Sequence, residues 1–221
     1  MYHLEEALLN YINIEGTNYA VEINGHWGIG KTHFIKDHFI EVNAVDLESQ
    51  NKKFVYLSVN GIKDIEDFKT RLLNGIVRNN SPVKDAIGKG FDFFNKYSDL
   101  FDSKFGIATR LVGDIITEAS ENDLINESNY RYILVLDDLE RKSDSLDIKD
   151  FFGFISSFCL DSHSMKVIFV TNEEKLKEKD SDFDLVKEKI IFNTFKFEQN
   201  SSEALKEIIE NQFDEKVKDI L

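Results

Sequence analysis

INGHWGIGKTHF, residues 23 to 34, decides how the rest of the chain is read. From Gly25 to Thr32 it fits the spacing G-x-x-x-x-G-K-[ST]. Glycines in such a loop let successive backbone N–H groups curl round an anion with no Cβ in the way. A helix opening near Lys31 aims its positive end at the same anion. The pattern sends the lysine ammonium to the β- and γ-phosphates and the threonine hydroxyl to Mg²⁺. Gly25, Trp27, Gly28, Ile29, Gly30, Lys31, Thr32 and His33 are therefore the expected nucleotide-binding set, with Thr32 also on the metal side. The flanks agree: the short strand signal NYAVEIN precedes the loop. KTHFIKDHFIEV, with Phe34, Ile35 and Phe39 at helical spacing, follows it.

A magnesium-bound nucleotide also needs an acid at the end of a nearby buried strand. ILVLDDLER (133–141) offers one, because four apolar residues end in two aspartates. Asp137 is the expected metal-side residue and Asp138 the water-polarising acid. Glu140 is a weaker substitute, on the expectation that the chain has turned away by then. Asn172, at the tip of the strand signal VIFVTN, either meets the attacking water or γ-phosphate or caps the helix after it. Thr171 is a lesser candidate for the same place. Arg141 is expected to brace the acidic strand end rather than reach a neighbour's phosphate. His26 and Trp27 lie within the loop, to flank the phosphates or close its back, and Trp27 reads more as a packing anchor than as a phosphate contact.

Outward from these motifs, strand signals recur at NYAVEIN, KFVYLSVNG (53–61), RYILVLDD (131–138), KVIFVTN (166–172) and KIIFNTFKF (189–197). Helical periodicity lies between most of them, in DIEDFKTRLLNGIV and DIKDFFGFISSFCL, and HLEEALLNYIN (3–13) precedes the first. Strands alternating with helices predict an α/β fold, a five-stranded parallel sheet covered on both faces. Residues 83–120 read as two amphipathic helices of a soluble insert. The charged run 172–189 reads as a solvated helix face and loop. Asn200, with Glu203 three residues on, reads as the cap of a last helix.

Composition narrows the function. The net charge of −14 disfavours a nucleic-acid binder, whose phosphate contacts need a basic face. A single cysteine, Cys159, forms no internal disulfide and reads as a buried apolar residue, in keeping with a reducing, cytoplasmic setting. No run approaches the ~20 apolar residues of a membrane span. The five histidines show no zinc-ligand spacing.

Together, GHWGIGKTHF and LVLDDLER resemble the KAP family of P-loop NTPases, related to the STAND and AAA+ ATPases. The shared features are Trp27 before the last loop glycines and Asp137-Asp138-Leu139-Glu140-Arg141 closing the acidic strand. The resemblance implies a three-layer αβα sandwich with strand order 5-1-4-3-2, which puts Asn172 between the loop strand and the acidic strand. It also implies ATP and Mg²⁺ as ligands, bacterial defence or signalling work, and association with other subunits or with itself. Relatives often carry membrane helices between the two motifs, where this chain has the charged 83–120 stretch. The expected division is an NTPase domain over 1–200 and the start of a helical lid over 201–221, as in the front part of a longer protein. Two functions lead at this point, an ATPase and a nucleotide-gated switch with negligible hydrolysis; a small-molecule kinase fits the chain length, but no arginine-rich lid segment or acceptor site supports it.

Overall fold

The elements follow from where apolar residues recur. A computed structural model describes residues 2–79 and 130–198 of the 221. The expected insert at 83–120 and the expected lid over 201–221, with its cap Asn200, lie outside the described residues.

Helix α1 (Tyr2–Asn13) leads into β1 (Ala20–Asn24). After the glycine loop comes α2, one continuous helix over 31–49: α-helical Lys31–His33, π-helical Phe34–Ile40, α-helical Glu41–Ser49. Then follow β2 (Lys52–Ser58), α3 (Ile65–Asn79) and β3 (Arg131–Asp137). A 3₁₀ turn, Leu139–Arg141, closes β3. Helix α4 begins as Ile148–Phe154 and continues π-helical as Ile155–Ser162. The Asp147 carboxylate caps it, accepting from the Lys149 and Asp150 N–H groups. Last come β4 (Lys166–Thr171), α5 (Glu173–Lys179), α6 (Phe183–Ile190) and β5 (Ile191–Lys196).

Among the described residues the strands form one sheet, ordered β2-β3-β4-β1-β5, with every pairing parallel. Read from the other edge this is 5-1-4-3-2, the order implied by the family resemblance. The two stretches read as 172–189 and 189–197 divide differently than expected. The charged run forms α5 and α6, and α6 continues to Ile190 before the strand begins. β5 is an edge strand with most of its residues exposed.

Strand parity sorts the core into two layers. On one face, Leu134, Leu136, Val167 and Phe169 meet α3, α4 and α6. Phenylalanine dominates that layer: Phe152 stacks on Phe169 at 5.1 Å between centroids, and Phe68 meets Phe151 edge-on at 4.9 Å. On the other face, Val21, Ile23, Ile133, Val135, Ile168 and Val170 pack on α1 and α2 through Leu8, Ile12, Ile35 and Phe39. Cys159 is buried in the first layer, and burial pushes its thiol well above the usual range. Parity continues past the apolar run. It places Asp137 on the α2 face with Ile133 and Val135, and Glu22 on the opposite face from Val21 and Ile23.

Candidate functional site: a glycine loop facing three carboxylates

The loop after β1 is anchored at its start. The Gly25 N–H donates to the Thr171 carbonyl at 3.1 Å, and a Cβ at Gly25 would meet Ile29 Cδ1 at 2.5 Å and the Phe197 carbonyl at 3.0 Å. Any side chain there is crowded chiefly by the Phe197 carbonyl, since Ile29 Cδ1 is the end of a flexible side chain. Gly28 and Gly30 then take φ of +77° and +92°, conformations that side chains rarely adopt, and α2 starts at the next residue.

Lys31 is buried, and its ammonium donates to the carbonyls of Gly25 at 2.5 Å and His26 at 2.9 Å. Burial lowers its pKa. The Glu140 carboxylate opposes that shift most strongly, followed by Asp137 and Asp138. Next in the helix, the Thr32 hydroxyl donates to Asp137 Oδ2 at 2.8 Å. His33 is exposed at the cleft's edge, with Nδ1 3.0 Å from Asp37 Oδ2.

Asp137 is 2 % exposed and receives three hydrogen bonds. Thr32 and the Tyr56 hydroxyl (2.6 Å) bond Oδ2, and the Asp138 N–H (2.8 Å) bonds Oδ1. Burial raises its pKa, and the two hydroxyls pull it part of the way back. Tyr56 is itself held protonated, its pKa raised by burial and by bonding a carboxylate. Asp138 takes the left-handed conformation, φ +59°, which costs about 1–2 kcal/mol for a residue with a Cβ. Ser58 donates to its Oδ2 at 3.1 Å, and Arg141 Nε lies 3.5 Å from Oδ1. Arg141 thus braces the strand end, and its guanidinium also lies 5.4 Å from the Trp27 ring centre.

The turn at Asp138 redirects the chain. It was expected to carry Glu140 away from the site, yet the 3₁₀ turn brings it back over the end of β4. Glu140 is 7 % exposed; Oε1 accepts from Trp27 Nε1 at 2.6 Å and Oε2 from the Asn172 N–H at 3.2 Å. Trp27 is no packing anchor: it is 50 % exposed at the cleft mouth. The Asn172 side chain is engaged in capping, its Oδ1 accepting from the Lys175 N–H at 3.3 Å. β4 does lie between β3 and β1, where the resemblance put it.

Trp27, Gly28, Gly30, Lys31, Thr32 and His33 form one wall of a cleft of about 310 Å³, and Asp137, Asp138, Glu140 and Arg141 form the other. Gly25 and Ile29 shape the loop from behind, and Asn172 stands beneath Glu140. Sequence reading missed Tyr56 and Ser58 on β2. The available signal was their alternation on one face of a strand, but only the β2–β3 register, with Ser58 beside Asp137, points that face at the acids.

The profile of the KAP family P-loop domain matches residues 3–220. The chain belongs to that family. No curated protein matches it. Among solved structures, the Aeropyrum pernix ORC2 protein in its ADP form is similar at a TM-score of 0.58 and 14% identity, over 94% of this chain and 50% of that one. AMPPCP-bound DnaA from Aquifex aeolicus is similar at a TM-score of 0.46 and 17% identity, over 98% of this chain and 54% of that one. The KAP chain therefore spans about half the length of each. The ORC2 likeness is one of fold, the α/β sandwich with its parallel sheet. Among the described residues of this KAP domain, no helix is long and apolar enough to cross a membrane.

Proposed function

We propose that this KAP domain binds ATP with Mg²⁺ in the cleft and hydrolyses it to ADP and phosphate. One observation carries the reading: a buried lysine on a glycine loop faces Asp137, Asp138 and Glu140 across a cleft of about 310 Å³. Gly25, Gly28 and Gly30 leave the loop backbone open to phosphate oxygens, and Lys31 exchanges its two carbonyl partners for the terminal phosphates. The Thr32 hydroxyl and the Asp137 carboxylate, already 2.8 Å apart, are the pair that would hold Mg²⁺. Bound there, such an ion would neutralise part of the negative charge of the phosphates. An acid beside them, Asp138 or Glu140, orients water toward the γ-phosphorus. Trp27, Ile29 and His33 complete the loop side. The setting we propose is a cytoplasmic defence or signalling ATPase that works with other subunits or with copies of itself, a reading supported by KAP membership.

The test is a thermal shift with Mg-ATP and Mg-ADP on wild type and Lys31→Ala. At a hundredfold excess over Kd, wild type gains about 2.7 kcal/mol and Lys31→Ala gains nothing. A wild type that gains nothing overturns nucleotide binding at this loop. Phosphate release without any acceptor then separates hydrolysis from switching.

A further inference from the structure

The sheet order separates the two acids that compete for the role of orienting water. Asp138 leans toward β2, through Ser58, and toward Arg141. β2 lies three strand spacings of about 4.8 Å from β1, whose loop carries Lys31. Glu140 leans the other way. Its two oxygens accept from Trp27, within the loop itself, and from the N–H that follows β4, the strand beside β1. It is also the carboxylate that acts most strongly on the Lys31 ammonium.

We propose that Glu140 is the acid that orients the attacking water, and that Trp27 is its positioning residue, fixing the carboxylate through Nε1–H from inside the phosphate loop. This rests on the ATPase reading above. In the step, the water oxygen bonds to the γ-phosphorus as the bridge to the β-phosphate breaks. The bond's electron pair leaves on ADP, and the water proton passes to Glu140 and then to solvent. Because Trp27 belongs to the loop that surrounds the phosphates, loop and acid are one mechanical unit. The Asn172 N–H holds the second oxygen, so the carboxylate has one orientation rather than several.

The experiment compares kcat and KM for ATP in wild type, Glu140→Gln, Asp138→Asn, Trp27→Phe and the Trp27→Phe/Glu140→Gln double variant. Retention of the Mg-ATP thermal shift shows that each is folded. Glu140→Gln is expected to lower kcat by ~100-fold or more, general-base magnitude, with ATP affinity within ~3-fold, and to cost more than Asp138→Asn. Trp27→Phe keeps the aromatic body and removes the donor. It is expected to lower kcat by ~10-fold with KM within ~3-fold, and to add nothing to the Glu140→Gln loss, because residues acting as one unit are non-additive. If Glu140→Gln loses the thermal shift, Glu140→Asp replaces it, with kcat again expected to fall as the carboxylate is drawn back. Trp27 is the only tryptophan in the chain, so its emission reports this contact independently. Glu140→Ala is expected to shift it.

Four results overturn the assignment: Glu140→Gln within ~10-fold of wild type, a larger loss in Asp138→Asn, a Trp27→Phe effect confined to KM, or emission unmoved in Glu140→Ala. A wild type that binds Mg-ATP but releases no phosphate overturns the ATPase reading itself and this assignment with it. That failure is told apart because all the variants then match wild type.

Discussion

Two polar sites flank the central strands, on opposite faces of the sheet, and they are built differently. On the α6 side, Glu22 is 0 % exposed and fully engaged. It accepts from Thr171 at 2.5 Å, Lys187 at 2.7 Å and Thr194 at 2.9 Å. Lys187 also pairs with Glu173 at 2.8 Å, and Glu173 is tied back to Asn24. On the α2 side, Lys31 donates only to backbone carbonyls, and Asp137 forms no ion pair among the described residues. A buried charge closed off by its own fold is a structural part, because any lost partner leaves it uncompensated. A cation and three carboxylates arranged round a cleft, of which only Asp138 has an ion-pair partner among the described residues, Arg141 at 3.5 Å, leave charge for a ligand to meet. The difference teaches where to look for function in this molecule: the incomplete polar site, not the most buried one.

That contrast breaks first at Lys187. Lys187→Met strands the Glu22 carboxylate and is expected to cost about 3 kcal/mol in denaturant unfolding, with Mg-ATP affinity changed less than ~3-fold. Adding Glu22→Gln should restore most of the loss; a double variant as unstable as the single one would mean the network is not the cause. Gly25→Ala acts the other way. Overpacking against Ile29 and the Phe197 carbonyl is expected to cost about 1–3 kcal/mol and to weaken Mg-ATP binding by ~10-fold or more, read by titration. Tyr56→Phe removes one neutral donor from Asp137 and should cost about 1 kcal/mol, checked by urea midpoint.

The smallest effect sharpens the comparison through pH. Burial raises the Asp137 pKa, so folding takes up a proton there. Its contribution is full below about pH 4, the ordinary carboxylate value, and is lost as pH rises through the raised folded value. The melting-point difference, Asp137→Asn minus wild type, is therefore expected to grow from pH 4 toward pH 7. A flat difference would show that the hydroxyls of Thr32 and Tyr56 offset the burial entirely.

Much of this was legible without coordinates. The loop, its flanking strand and helix, and the apolar run ending in Asp137 are local patterns, written in residues a few positions apart. Strand parity needs nothing more, and it already puts Asp137 with Ile133 and Val135. Glu140 was placed less well. Its position depends on the left-handed turn at Asp138, a conformation that aspartate signals only weakly. The α6–β5 boundary was also blurred, since KIIF is apolar enough for either element and only pairing with β1 starts the strand at Ile191.

The sequence by itself determined the fold class and the phosphate loop, because periodicity and glycine spacing act over one or two turns of chain. The strand order came with the family resemblance, not from any pattern in these residues. Only the tertiary structure decided which side chains face the acids. Tyr56 reaches Asp137 across 81 positions and Trp27 reaches Glu140 across 113. Such contacts are set by how parallel strands register and which edge each crossover takes, and no local propensity encodes that.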